Sequence, residues 1–207
     1  MDDLHEQFGP IDIYLFDQLL RGRLTQGMRV LDAGCGGGRN LHYLLQAGYD
    51  VHAVDAEPAA IEAVRRLAAR LAPSLPSDNF RVAPVEAMTF PDDHADAVLS
   101  IAVLHFARDD AQFEAMLRGM WRAVRPGGIL LCRLASDIGM EDRMRLISGR
   151  RYLLPDGSER YLVSESLLLD WTQRLGGVLV DPLKTTVVQD QRCMTTWVLQ
   201  KPLATVR

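Results

Sequence analysis

Lysine is nearly absent from this sequence: of its 23 basic residues only Lys184 and Lys201 are lysines, and the arginines are scattered without a basic block. With a formal net charge of -4, the chain offers no concentrated positive face. That argues against nucleic acid as a partner, because phosphate binding needs such a face. Cysteine is scarce and odd in number. Cys35, Cys132 and Cys193 have neither the pairing of a disulfide framework nor metal-ligand spacing, so reduced, intracellular thiols and no metal are expected. Long apolar runs are missing as well. The longest, Ala97 to Leu104, is far too short to cross a bilayer, and no basic-then-apolar leader opens the chain. These absences predict a soluble, cytoplasmic protein with no membrane partner. Repeats and low-complexity segments are lacking too. What is there is 207 residues with 48% apolar content, ample for one domain over 1–207 with its own core.

The chain is organised around Val30-Leu31-Asp32-Ala33-Gly34-Cys35-Gly36-Gly37-Gly38-Arg39-Asn40. Met28 to Leu31 has the apolar character of a buried strand, and a helical pattern opens at Asn40. The glycines therefore sit at a strand-to-helix turn. There the backbone can take positive φ, and a ligand can lie against bare main chain facing helix N-terminal amides. A dinucleotide fingerprint would need a third glycine where Arg39 stands. About 20 residues on, Val51-His52-Ala53-Val54-Asp55 ends a second strand on an acid able to take both ribose hydroxyls. A pyrophosphate beside Asp32 would be repelled, whereas a sulfonium and an α-amino group would be attracted. The expected ligand is a positively charged nucleoside.

This Asp-x-Gly-x-Gly-x-Gly turn resembles that of the class I S-adenosylmethionine-dependent methyltransferases. Pro126-Gly127-Gly128, followed by the strand Ile129 to Leu134, is a second landmark of that family, and the resemblance covers roughly Met28 to Leu134. It implies an α/β fold, a doubly wound, seven-stranded, mostly parallel sheet whose last strand is antiparallel. It implies S-adenosylmethionine as cofactor, S-adenosylhomocysteine as product, and in-line methyl transfer to an acceptor, for which a small molecule is expected. By the same resemblance the cofactor lies against Asp32, Gly34, Cys35 and Gly36, with Asp32 near its amino group and Arg39 near its carboxylate. Asp55 takes the ribose, Ala56 offers adenine an apolar face, and Ser100 lies along the fourth strand beside the site. The family often has an acid where Pro84 stands here. Proline offers neither side-chain acceptor nor amide donor, so adenine falls to the amide of Val85 or Glu86, or to the Glu86 carboxylate. Cys35 suits the turn as a small side chain rather than as a redox thiol. Two other classes stay open: a dehydrogenase using a nicotinamide dinucleotide, disfavoured by Arg39 and Asp32, and a cofactor-binding sensor without catalysis.

Four parts follow along the chain. Residues 1–27 read as an N-terminal cap whose helix runs from Phe8 to Arg21 and stops at Gly22, with Tyr14 a candidate substrate contact. Residues 28–135 read as the cofactor-binding core. In it the fourth strand extends from Asp96 to Phe106, placing His105 at its end as a candidate general base, and Arg133 ends the fifth strand as a candidate substrate contact. Residues 136–163 break the α/β rhythm with a hairpin over Pro155-Asp156-Gly157-Ser158-Glu159, read as a substrate lid that carries Tyr152. Residues 164–207 supply a helix capped by Ser164 and two closing strands, near Val178 to Val188 and Cys193 to Gln200.

Overall fold

A computed structural model describes residues 4–203. Two short helices, α1 (Leu4–Phe8) and α2 (Ile13–Leu20), precede β1 (Arg29–Ala33), α3 (His42–Gln46), β2 (Asp50–Asp55), α4 (Pro58–Leu71), β3 (Phe80–Val82) and β4 (Ala95–Ile101). Then come α5 (Asp110–Ala123), β5 (Val124–Ala135), three small strands β6 (Arg145–Ser148), β7 (Arg151–Leu153) and β8 (Glu159–Tyr161), α6 (Glu165–Arg174), β9 (Val178–Leu179), β10 (Lys184–Val188) and β11 (Arg192–Gln200).

The main sheet runs β10-β11-β5-β4-β1-β2-β3, with β9 also paired to β11. β1 is parallel to both β2 and β4, β4 is parallel to β5, and β11 is antiparallel to β5. The expected doubly wound sheet is thus present. It has eight strands rather than seven because β9 and β10 share the position beyond β11, pairing with opposite ends of it. Helices must cover both faces of such a sheet, and alternate residues of a central strand serve each. Leu31, Val98 and Leu130 pack with Phe113, Leu117 and Trp171 from α5 and α6. Val30, Leu99 and Leu131 pack with Leu44, Ile61 and Val64 from α3 and α4. Strand order reverses beside β1, which places a crevice at the carboxyl ends of β1 and β4, where open α/β sheets bind ligands. Among the described residues no helix is long and apolar enough to cross a membrane.

Four sequence expectations are corrected. The helix expected over Phe8 to Arg21 is broken: Gly9 takes φ +60, Pro10 follows, and α2 restarts behind Asp12, whose carboxylate caps the Tyr14 amide. The helix expected from Asn40 begins only at His42, after a turn closed by Gly38 N–H to Cys35 and Leu41 N–H to Gly38. The fourth strand ends at Ile101. Ala102 takes φ +64 while its N–H reaches Arg133 O, and Leu104–Phe106 coil into a 3-10 turn that carries His105 off the strand. The expected hairpin is the β7–β8 pair of a three-stranded antiparallel sheet that β6 completes.

Candidate active site

The turn after β1 is held to the neighbouring strand by main chain alone. Gly34 N–H and Cys35 N–H both donate to Val54 O, at 2.8 and 3.1 Å. Gly34 takes φ +84, and a Cβ there would stand 2.5 Å from the Val103 side chain, so no larger residue fits. Gly36 takes φ +52 and has open space where a Cβ would be. That space belongs to a cavity of about 620 Å³ lined by the glycine turn, Asp55, Ala56, Pro84, Val85 and the Ile101–Val103 bend. A methyl group at Gly36 would take up room that a ligand needs.

Two carboxylates set the electrostatics. Asp55, at the end of β2, accepts from Gly36 N–H at 2.8 Å through one oxygen and from Glu57 N–H at 3.0 Å through the other. This orients the carboxylate at the cavity wall. Asp32 sits below the turn, 1% exposed, and its Oδ2 has no hydrogen-bond partner. Burial pushes its carboxyl up to about 7, against the pull of Arg39 and with the help of Asp55. A carboxyl buried with one oxygen unpartnered avoids the cost of its charge by holding its proton to higher pH. The Cys35 thiol is raised above its ordinary range, by burial first and then by Asp32 and Asp55, so it carries no reactive thiolate.

At the far side, Glu86 accepts from the Gln112 amide at 2.7 Å. Val85 and Met116 supply apolar wall, and Pro84 lies between Ala83 and the 3-10 turn at Val85–Ala87. A second cavity of about 310 Å³ adjoins the first and shares Ala102 and Phe106 with it. Its other walls come from β5 (Arg133, Ala135), the β7–β8 hairpin (Leu154, Asp156, Ser158, Arg160) and β11 (Arg192, Cys193, Met194), together with His105.

Of the residues singled out for the cofactor, Gly34, Cys35, Gly36, Arg39, Asp55, Ala56, Val85 and Glu86 line the larger cavity. Asp32 and Ser100 do not: both are buried within the sheet, and the Ser100 hydroxyl is unpartnered. Of the substrate candidates, His105 and Arg133 line the smaller cavity. Tyr14 lies in neither. Its hydroxyl is 2.6 Å from Thr186 Oγ1, and its ring sits 5.3 Å from the Arg133 guanidinium, so it packs α2 onto the sheet edge. Tyr152 packs against Ala135, Leu154 and Leu162 under the small sheet. His105 is not placed as a base. Its Nδ1 accepts from the buried Ala135 N–H at 3.2 Å, so the neutral ring carries its proton on Nε2, and burial, then Arg160 and Arg133, lower it to about 4.

Sequence reasoning missed Asn40, Gln112, Met116, Phe106 and the Ile101–Val103 bend among the lining residues. It also missed Asp12, which joins the N-terminal segment to the site. Asp12 N–H donates to Asn40 Oδ1 at 3.0 Å, and its carboxylate accepts from Arg133 at 3.1 Å with Arg39 3.8 Å away. Arg39 thus lines the cavity with Asp12 within ion-pair range.

A family model described as a methyltransferase domain matches residues 31–132. The chain is 37% identical over 108 residues to a ubiquinone biosynthesis O-methyltransferase of Methylocella silvestris, covering 52% of this chain and 40% of that protein. It is 30% identical over 182 residues to a tRNA U34 carboxymethyltransferase of Idiomarina loihiensis, covering 86% of this chain and 54% of that one. The chain thus spans about half the length of these curated relatives. Its fold matches a crystal structure of a 1,6-didemethyltoxoflavin-N1-methyltransferase from Burkholderia thailandensis with S-adenosylhomocysteine bound. The TM-score is 0.69 at 20% identity, covering 97% of this chain and 81% of that one.

Proposed function

We infer, from a chain that belongs to the class I S-adenosylmethionine-dependent methyltransferases through its domain at residues 31–132, that the glycine-lined cavity binds S-adenosylmethionine and the smaller cavity a small-molecule methyl acceptor. The observation that carries this is the pairing of a buried carboxyl with one unpartnered oxygen, Asp32, with a glycine turn at Gly34–Gly36 and a second cavity that shares Ala102 and Phe106 with the first. The residues fit the group. Asp32 lies buried behind the turn and acts on an ammonium or sulfonium only through its charge, Asp55 keeps lone pairs for the ribose hydroxyls, and Val85 with Glu86 meets the adenine edge. S-adenosylmethionine supplies a methyl group already activated by its sulfonium.

The chain's task is positioning and exclusion of water. Ala102 and Phe106 form the join between the two cavities and fix how an acceptor atom approaches. His105 faces the acceptor as a hydrogen-bond donor through Nε2, since Ala135 already occupies Nδ1. It orients the acceptor and does not deprotonate it. The test is calorimetric titration with S-adenosylhomocysteine and, separately, with reduced nicotinamide dinucleotide. Micromolar binding of the first alone is expected, near about -8 kcal/mol. Binding of the dinucleotide alone would overturn the reading.

The tRNA-modifying relative, which aligns with 86% of this chain, favours a second reading in which the acceptor is RNA. Radiolabelled methyl transfer to bulk tRNA, with none to small-molecule pools, would establish that reading instead.

A further inference from the structure

The smaller cavity has mostly apolar walls with an excess of basic over acidic residues. Three arginines line it, Arg133, Arg160 and Arg192, against one acid, Asp156. Their partners differ. The charge of Arg133 is met by Asp12 at 3.1 Å, although its Nε is buried with no hydrogen-bond partner. Among the described residues Arg160 donates only to the neighbouring Glu159 carbonyl, at 2.7 Å, and its guanidinium lies 4.9 Å from the centre of the Phe106 ring. Arg192 makes no ion pair among the described residues; Asp156 feels both it and Arg160 at longer range. The Asp156 carboxylate is itself engaged by the Ser158 amide at 2.9 Å and the Ser158 hydroxyl at 2.6 Å. Many other arginines find carboxylates, as in Arg23–Asp181, Arg29–Asp50 and Arg125–Asp96, whereas Arg65 and Arg81 reach backbone carbonyls instead.

A guanidinium is a planar fork of donors matched to an oxyanion. Two such forks stand without a carboxylate partner in the wall of a concave site next to the join with the larger cavity. The histidine in the same wall adds a donor and no positive charge, because Arg160 and Arg133 join burial in disfavouring its imidazolium. At about 310 Å³ the space lies at the small end of small-molecule sites.

We propose that this cavity selects an acceptor carrying a compact oxyanion, a carboxylate or a phosphate, held by Arg160 and Arg192. This rests on the reading that the adjoining cavity takes the methyl donor. Arg160 comes from the hairpin and Arg192 from the start of β11, so one anion bridges the small sheet to the large one. The oxyanion then sets which molecules enter, while Ala102 and Phe106 set which atom is presented for methylation.

The experiment uses the full chain with three probes: benzoate, phenyl phosphate, and benzamide, which keeps the shape of benzoate without its charge. Each is titrated at constant ionic strength, with and without saturating S-adenosylhomocysteine, and followed by protein-detected NMR. At least one anion is expected to bind about tenfold or more tighter than benzamide. The better of the two identifies carboxylate or phosphate as the preferred group. In the double variant Arg160→Gln, Arg192→Gln the preference should vanish with S-adenosylhomocysteine affinity and melting temperature unchanged. The pair Arg160→Lys, Arg192→Lys should keep part of it. Equal binding of benzamide and benzoate, an undiminished preference in the glutamine variant, or no binding of any probe would overturn the proposal. Failure of the donor reading shows separately, as wild-type protein that does not bind S-adenosylhomocysteine. The titrations without it then still decide whether the cavity holds an oxyanion.

Discussion

The larger cavity includes a stretch of bare main chain at the glycine turn, and the smaller one is lined by side chains from four separate segments. Around the first, Gly34 and Gly36 present bare backbone, two amides bond Val54 O, and a third is held by Asp55. Around the second, arginines, a histidine, a methionine and a cysteine arrive from a 3-10 turn, β5, a hairpin and β11. A site made of backbone is fixed by the fold and suits a ligand that never changes. A site made of side chains on separate segments is free to vary in sequence without disturbing the sheet, and so it suits a ligand that differs between relatives.

The sharpest way to probe this contrast is Asp32, an acid buried behind the glycine turn. In the free protein its carboxyl lies near 7, raised from an ordinary 3.8. The folded chain therefore keeps a proton that the unfolded chain has released. Stability from this group is greatest at low pH and falls as pH rises through the window from 3.8 to about 7. Asp32→Asn is expected to flatten that window, a difference on the order of 4 kcal/mol across it. Urea unfolding at pH 5 and pH 8 reads it out. Equal slopes in the two proteins would mean that the carboxylate is satisfied without ligand.

Next in size is Gly36→Val, which places a branched side chain at φ +52 and fills open cavity. Loss of S-adenosylhomocysteine affinity by about 100-fold or more is expected with far-UV circular dichroism unchanged. Full retention of affinity would show that the ligand lies elsewhere. Asp55→Ala should cost at least about 1.5 kcal/mol of S-adenosylhomocysteine binding by calorimetry, the loss of charge-assisted hydrogen bonds to the ribose. The smallest effect belongs to Tyr14→Phe, which removes one bond to Thr186 outside both cavities. A stability loss of about 1 kcal/mol or less and an unaltered binding isotherm are expected. A marked change in turnover would bring Tyr14 back into the acceptor site.

The same contrast governs what could be read in the sequence. The glycine turn was legible because the backbone conformation it needs restricts residue type: no other residue fits at Gly34, and Asp55 follows at the spacing a second parallel strand imposes. The end of the fourth strand was not legible. Ile101-Ala102-Val103-Leu104 is uniformly apolar, and nothing in it marks that Ala102 turns to φ +64. The first helix was misread because Phe8, Ile11 and Leu15 keep a helical spacing across Gly9-Pro10, which interrupts the helix. β6 escaped because Arg145-Leu146-Ile147-Ser148 is exposed along its whole length and so lacks the alternation that marks a half-buried strand. Asp12 escaped for a different reason. Its partners Asn40 and Arg133 lie 28 and 121 residues away, and only the folded sheet brings them to it.

Ala102 and Phe106 stand in the wall of both cavities. Were each cavity to hold a guest, a shift in these shared residues that one guest prefers would be accepted or opposed by the other, linking the two occupancies. Each guest then alters the dissociation constant of the other by one and the same factor, whichever arrives first. Saturation curves measured with a single guest present will therefore misjudge the affinity that governs the working ternary assembly.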